Sequence, residues 1–318
     1  GPIFDFGSHV AGVTVNKIFT ITNVGSTDAT AIVPVALVAP FDFSGGGGYP
    51  GALGNCAGIL TAGSFCTIEV EFSPVALGAF SDTLSLNYND GVVARNSSRS
   101  IVGSGANPAT IAISDGPTYD FGKKALGSAT LKTFTLTNTG GFATSVMTGA
   151  GLALPYRFAG GGGYPGAGGS CLASLAPTQA CTGVVEYLPT GVGVDPITLQ
   201  IDFNDGAIVT NSTRAITGEG ANPALLSINS NPHNFGNVTV NATTSFTFTV
   251  DNGGGVPAIS MSGPLLTAPF SYLGGAYPGT GGTCATILAE GSNCSIVVEF
   301  APTATVLSND TITINYND

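Results

Sequence analysis

Six cysteines are the residues of this chain best placed to do chemistry, and their spacing limits what that chemistry is. They form three pairs, Cys56 with Cys66, Cys171 with Cys181 and Cys284 with Cys294, each ten positions apart. Structural zinc wants short-spaced Cys or His ligands in fours, and each neighbourhood here offers two thiols. One pair per neighbourhood, with none left over, predicts three local disulfides. Each should be worth about 2–3 kcal/mol in the chain-entropy account. Disulfides in turn predict an oxidising compartment: secreted, periplasmic or surface-exposed.

Every first cysteine closes a glycine-rich run. FDFSGGGGYPGALGNC (Phe41 to Cys56) returns as YRFAGGGGYPGAGGSC (Tyr156 to Cys171) and as FSYLGGAYPGTGGTC (Phe270 to Cys284). The first two copies satisfy the dinucleotide pattern G-x-G-x-x-G at Gly46, Gly48, Gly51 and Gly161, Gly163, Gly166. That fingerprint needs a helix opening behind it. Here Pro50 and Pro165 sit inside the motif and the third copy breaks the spacing at Ala276, so no dinucleotide is expected. The tyrosines Tyr49, Tyr164 and Tyr277 are the candidate ligand-contact residues, since an aromatic ring on a glycine-rich loop can stack on a sugar or anchor a protein. The competing reading packs each ring on its own disulfide or on the neighbouring domain. It is favoured because a residue serving every repeat equally more often serves the repeat itself.

Other constellations carry less. Asn89-Asp90, Asp202, Asn204-Asp205 and Asn317-Asp318 offer oxygens for calcium but no distal glutamate, so hairpin turns are expected and no metal. Glu71, Glu186 and Glu299 recur on an apolar run and read as a solvated face or an edge-protecting charge. Lys17 and Lys132 recur in two copies, but Phe246 stands at the third position, which removes a general Lys–Asn cross-link. Arg99 and Arg214 match each other and should meet a nearby acid or carbonyl. His9 and His233 are the two histidines and are not equivalent; GxSxG, HExxH and P-loop motifs are absent, and no paired carboxylates stand out. No catalytic residue and no cofactor are expected. The sequons at Asn96 and Asn211 fit surface turns.

The elements that must position these residues follow from the repeat. Tyr49, Tyr164 and Tyr277 are spaced by 115 and 113 residues, too far apart for a solenoid unit and right for a domain. The expected domains are 1–107, lacking its first strand, 108–222, and 223–318, lacking its last strands. Both ends read as cut within a repeat of a longer array, with Gly1-Pro2 resembling a protease scar. In LKTFTLTNTG, Phe134 and Leu136 alternate with Thr133, Thr135 and Thr137, a half-buried strand ended by the turn Asn138-Thr139-Gly140-Gly141. Strands are also expected over Thr110–Asp115, Val184–Leu188 and Ile197–Phe203, then an Asn204-Asp205-Gly206 hairpin whose partner strand ends at Ile216. Gly103–Ala109 and Gly218–Ala224 read as semi-rigid linkers. Seven or eight short strands per repeat, with no helical period, predict an all-β chain of three tandem immunoglobulin-like β-sandwich domains in a rod-like array.

Composition agrees. Charged residues make up 8% of 318, glycine numbers 47 and tryptophan is absent. Many residues suit strands and tight turns, few suit helices. The net charge of −11 argues against nucleic acid and against anionic lipid. No apolar run approaches the roughly 20 residues that would insert across a bilayer.

The phrases FG…G…TFTLTNTG, C…L…C…VEF.P and NDG…R.I.G.G resemble the choice-of-anchor D repeats of large bacterial surface and secreted proteins, which are related to Hydin-like immunoglobulin-like modules. The resemblance covers all three repeats. It implies an immunoglobulin-like fold and an extracytoplasmic, envelope-associated setting, secreted or on the cell surface, and it implies no ligand. The function expected is structural and adhesive: a segment that displays, or contacts, another cell or matrix through a surface glycan or protein. The alternative is a glycan-binding module using the Tyr-Pro-Gly loops. Oligomeric state is left open, since unpaired edge strands could pair between chains.

Overall fold

The structure is a computed structural model that describes residues 2–46, 48–150 and 152–318. It is built from strands, with one short 3-10 turn at Ala159–Gly161 among the described residues. Repeat 1 contains β1 (Phe4–Val10), β2 (Val15–Thr22), β3 (Ala29–Pro34), β4 (Phe41–Phe43), β5 (Ile59–Leu60), β6 (Phe65–Phe72), β7 (Gly78–Asn89) and β8 (Ala94–Ala106). They form two sheets, ordered β1-β8-β7-β3-β5 and β2-β6-β4.

Repeat 2 adds a lead-in strand. Its elements are β9 (Ile111–Ile113), β10 (Thr118–Ala125), β11 (Thr130–Asn138), β12 (Ser145–Gly149), β13 (Tyr156–Phe158), β14 (Ala180–Tyr187), β15 (Gly193–Val194), β16 (Ile197–Asn204) and β17 (Val209–Ala221). One sheet runs β10-β17-β16-β12, with β15 also on β17, and the other runs β13-β14-β11-β9. Repeat 3 holds β18 (Leu226–Ile228), β19 (Thr244–Asn252), β20 (Ala258–Ser262), β21 (Phe270–Tyr272), β22 (Ile287–Leu288), β23 (Asn293–Phe300) and β24 (Asn315–Asn317). These form sheets β18-β19-β23-β21 and β22-β20-β24. Each sheet draws its strands from a single repeat. The chain is therefore all-β, a series of immunoglobulin-like sandwiches.

Period-2 patterning decides which side chains enter each sandwich. On β11, Phe134 and Leu136 are buried while Thr133 and Thr135 face solvent. The centre of every core is an aromatic pair stacked between neighbouring strands: Phe41 on Phe72 at 4.8 Å, Tyr156 on Tyr187 at 4.7 Å and Phe270 on Phe300 at 4.8 Å. A third ring, Phe6, Phe121 or Phe235, lies within 5.8 Å of both members. Repeat 2 alone puts hydroxyls on the pair. Tyr156 donates to the Asp195 backbone carbonyl at 2.7 Å, and Tyr187 donates to the Asp195 carboxylate at 2.8 Å. That satisfies two polar groups whose burial would otherwise cost stability.

One boundary differs from the sequence reading. The strand expected to end at Ile216 continues to Ala221, and β8 continues to Ala106, so the connections are only residues 107–110 and 222–225. The glycines that read as linker are close approaches within a strand. A Cβ on Gly103 or Gly218 would lie 2.7 or 2.6 Å from the ring of Phe72 or Tyr187. A Cβ on Gly105 or Gly220 would lie 2.1 Å from the carbonyl oxygen of Ala76 or Gly191. Glycine inside a strand can mark a close neighbour as well as a turn.

Candidate functional site

The Tyr-Pro-Gly loops are the feature the sequence singles out, and they lie folded onto their own sheets. In each loop a turn closes between Gly48 and Gly51, Gly163 and Gly166, or Ala276 and Gly279. The proline carbonyl then accepts the backbone N–H of Glu69, Val184 or Val297 at 2.8 Å, adding a rung to β6, β14 or β23. The glycine after proline has φ of +88, +84 or +92°, and a Cβ there would come within 2.4 Å of the Glu69, Val184 or Val297 carbonyl oxygen. Only glycine suits both conditions.

This rung turns the tyrosines inward. Tyr49, Tyr164 and Tyr277 are half-buried and meet Phe43, Phe158 and Tyr272 edge-on, with ring centroids 5.5–5.6 Å apart. Their hydroxyl oxygens are buried with no hydrogen-bond partner among the described residues. Burial pushes the Tyr164 hydroxyl up to about 12 and raises Tyr49 and Tyr277 above the usual tyrosine value. The loops thus present their glycines to solvent and keep the polar tip of each ring inside.

The three disulfides lie just beyond. Cys56–Cys66, Cys171–Cys181 and Cys284–Cys294 are formed, with Cα atoms 4.9, 4.8 and 4.8 Å apart. All six cysteines are buried. A polar clamp accompanies each bond: Asn55 Oδ1 accepts the Thr67 N–H at 2.7 Å, while Ser170 with Thr182 and Thr283 with Ser295 exchange backbone-to-hydroxyl bonds at 2.9–3.1 Å. Each loop is tied at both ends to the strand beneath it.

Other residues fall in unequal places. Glu186 is buried and paired with Arg157 at 2.6 Å across β13 and β14, so it is not on a solvated face. The neighbouring position in repeat 1 holds Glu69, also buried, where valine stands in the other repeats. Its carboxylate accepts Ser44 Oγ at 2.5 Å and the Leu53 N–H at 3.0 Å, and the Ser44 bond leads in holding it below the usual carboxylate range. Arg214 donates to the Ile113 and Pro117 carbonyls. Arg99 instead lies over the rings of Phe4 and Phe19, and its Nε is buried with no hydrogen-bond partner among the described residues. Asp90 caps its hairpin through the Val93 and Val92 N–H groups and pairs with Arg95 at 2.8 Å; the backbone bonds, with Arg95, hold it at about 2. Among the described residues no three His, Cys, Asp or Glu side chains converge as a metal site would require.

The sequence reading took Asn138 for a turn residue, yet it organises the joint. Asn23, Asn138 and Asn252 each send Nδ2 to two carbonyls, those of Thr27 and Leu60, Phe142 and Leu175, and Val256 and Leu288. Each Oδ1 accepts the N–H two residues on, at Gly25, Gly140 or Gly254. In repeats 2 and 3 the same oxygen also faces the entering chain, at the Thr110 N–H (3.3 Å) and the Leu225 N–H (3.2 Å). The only available signal was its recurrence one residue before a turn.

The glycines beside these asparagines receive the connection. A Cβ on Gly140 or Gly254 would lie 2.1 or 2.2 Å from the Pro108 or Pro223 carbonyl oxygen. Apolar packing continues across the joint. Gly206 sits against Phe142 and against Val10 of repeat 1, and Ala125 and Ala221 of repeat 2 pack into the core of repeat 3. Lys123 reaches Glu219 and Glu290 at 3.5 Å on the exposed rim.

A model of the HYDIN/CFA65/VesB-like Ig-like domain family matches residues 2–101. No curated protein matches the chain in sequence. Among solved structures, a protein of unknown function from Porphyromonas gingivalis W83 is similar at 11% identity over 64% of this chain and 91% of its own, with a TM-score of 0.27. The VesB protease of Vibrio cholerae is similar at 17% identity over 36% of this chain and 32% of its own, with a TM-score of 0.27. The I-band fragment I67–I69 of titin is similar at 10% identity over 96% of this chain and 87% of its own, with a TM-score of 0.35. At these scores the likenesses say nothing of function. Three disulfides fit an oxidising, extracytoplasmic setting, and among the described residues no helix is long and apolar enough to cross a membrane. What the sequence motifs and the first repeat's match agree on is an immunoglobulin-like repeat array.

Proposed function

We propose that this chain is a non-enzymatic structural and adhesive segment of a bacterial cell-surface or secreted protein, of the choice-of-anchor D kind. It acts as a stiff array that holds a binding region away from its anchor or meets another cell or matrix directly. The observation that carries this reading is the joint: a connection of residues 107–110 or 222–225 pressed onto the next repeat, with apolar side chains shared across it. Such a joint resists bending, because opening it exposes apolar surface and leaves the Asn138 or Asn252 oxygen short of a donor. Low charge and one disulfide per repeat suit exposure to proteases outside the cell. The inward hydroxyls of Tyr49, Tyr164 and Tyr277 weigh against a glycan platform on those loops.

Small-angle scattering tests the stiffness. The parent chain should give a narrow distance distribution with a sharp maximum dimension, and a variant with a flexible Gly-Ser insertion between Asn222 and Pro223 should broaden it. Indistinguishable profiles would remove the basis of the reading. Binding of the labelled chain to whole bacterial cells then separates direct adhesion from spacing.

A further inference from the structure

Repeat 2 exchanges an apolar cluster for a polar one at three positions together. In repeat 1 the cluster is Phe41, Phe72 and Phe80, with ring centroids 4.8 Å apart for Phe41 and Phe72 and 6.2 Å for Phe72 and Phe80. Strand registers put Tyr156, Tyr187 and Asp195 in the same three places: Phe41 faces Phe72 as Tyr156 faces Tyr187, and Gly78 faces Gly105 as Gly193 faces Gly220. Phenylalanine fills this core in repeat 1, so packing does not call for the two hydroxyls. Both converge on Asp195, which opens the one Asp-Pro bond of the chain, Asp195-Pro196. Tyr156, 1% exposed, donates to the carbonyl oxygen of that bond at 2.7 Å. Tyr187, fully buried, donates to the Asp195 carboxylate at Oδ2, 2.8 Å away, and leaves Oδ1 outside that bond. The Asp195 N–H donates to the Gly218 carbonyl at 2.8 Å, which fixes the backbone, while Pro196 is exposed.

We propose that Asp195-Pro196 is a self-cleavage site, with the Asp195 carboxylate as nucleophile and Tyr156 as the donor that holds the developing oxyanion. Oδ1 attacks the carbonyl carbon of its own residue and closes a five-membered cyclic anhydride, a reaction favoured because both groups belong to one residue. The carbon–nitrogen bond breaks, its electron pair goes to the prolyl nitrogen, and solvent at the exposed Pro196 supplies the proton. Water then opens the anhydride to two carboxylates, so one water is consumed per cut. A hydroxyl 2.7 Å from the carbonyl oxygen stands where an oxyanion donor must. Burial, ahead of the charge on Asp195, holds both hydroxyls above the usual tyrosine value, so they remain donors. The other charged groups facing the pair are Asp120 on β10 and Glu219 on β17, with Lys123 3.5 Å from Glu219. Because the leaving nitrogen needs a proton, mild acid speeds the cut. The cut falls between β15 and β16, and β17 pairs with β10 and β15 before it and with β16 after it. Fragments 1–195 and 196–318 therefore stay joined in the native sheet. This is a single reaction of the chain on itself and stands independently of the function proposed above.

The test holds the full chain at about pH 5, above the ordinary aspartate value, and follows it by denaturing electrophoresis and intact mass. Expected are two fragments that meet at Asp195 and Pro196, formed at a rate independent of chain concentration and faster than in the same chain unfolded in urea. They should co-elute in native size exclusion. Tyr156→Phe should cut about 100-fold more slowly, and Asp195→Asn should not be cut by this route. Phenylalanine stands at the matching position in repeats 1 and 3, so the Tyr156→Phe variant should keep its fold, which melting checks. An intact chain, cleavage no faster than in urea, or an equal rate in Tyr156→Phe would overturn the proposal, the last two by leaving only the ordinary acid lability of an Asp-Pro bond.

Discussion

Repeats 2 and 3 run parallel from β9 and β18 to the hairpin at Asn204 and Asn317, and they differ in what covers the core after that. In repeat 2, β17 seals one sheet, and Phe121, Leu199 and Ile201 are 5, 2 and 1% exposed. In repeat 3 their counterparts Phe235, Ile312 and Ile314 are half-buried, and residues 305–314 form no strand. The stacked aromatic pair, the disulfide and the asparagine joint are the same in both. The comparison teaches that the loop, disulfide and joint depend on β14 or β23, whereas closure of the opposite sheet depends on a single strand. In repeat 2 that strand fits because Gly218 passes the ring of Tyr187 without a side chain.

The largest expected effect erases the difference from the repeat 2 side. Gly218→Val places a side chain on the Tyr187 ring, and calorimetry should show one transition destabilised by about 3 kcal/mol, with exposure of the β10–β17 edge. A neutral result would mean that the close approach is not what demands glycine. Next, removing a disulfide should treat the two repeats alike. Cys171→Ala with Cys181→Ala, or Cys284→Ala with Cys294→Ala, closes the same loop length and should cost about 2.5–3 kcal/mol either way. A large inequality would tie the bond to β17 instead. Asn138→Ala and Asn252→Ala should each cost about 2 kcal/mol, because each strands two buried carbonyls, and each should broaden the scattering profile at its own joint.

A smaller effect appears at high pH. Burial raises Tyr164 to about 12, and also raises Tyr49 and Tyr277, so the folded protein keeps protons that the unfolded chain releases near 10. Their contribution is complete below about pH 10 and is lost as pH climbs towards 12. The tyrosinate absorbance of these three rings, taken as the difference between the parent and a variant with all three changed to Phe, should therefore rise late and together with unfolding; an early rise in that difference would contradict the inward hydroxyls. The smallest effect is acidic. Asp90, held at about 2, supports its hairpin above about pH 4 and loses that support as pH falls through 2, visible as local amide exchange at Val92 and Val93.

Much of this architecture was legible because it repeats. Paired cysteines announced the disulfides, and alternation such as Phe134 and Leu136 against Thr133 and Thr135 announced the strands. What stayed hidden depends on neighbours distant in sequence. Gly218 and Gly220 look like part of a semi-rigid linker until Tyr187 and the Gly191 carbonyl are placed against them. Asn138 looks like an ordinary turn former because its four bonds reach residues 110, 140, 142 and 175. Glu186 looks solvated because Arg157 lies on another strand. Packing of Tyr49, Tyr164 and Tyr277 was the favoured reading, but their ring partners Phe43, Phe158 and Tyr272 could not be named from the sequence.

The central claim is that these thrice-repeated features serve the repeat and its joints. It is tested most directly by the triple variant Tyr49→Ala, Tyr164→Ala, Tyr277→Ala, melted beside the parent chain and exposed with it to a glycan panel. The account predicts a Tm lower by about 5 °C or more, as loss of packed aromatic area requires, and no saturable glycan binding by the parent. Saturable binding by the parent, lost in a variant whose Tm is unchanged, would contradict it and make the loops a recognition surface.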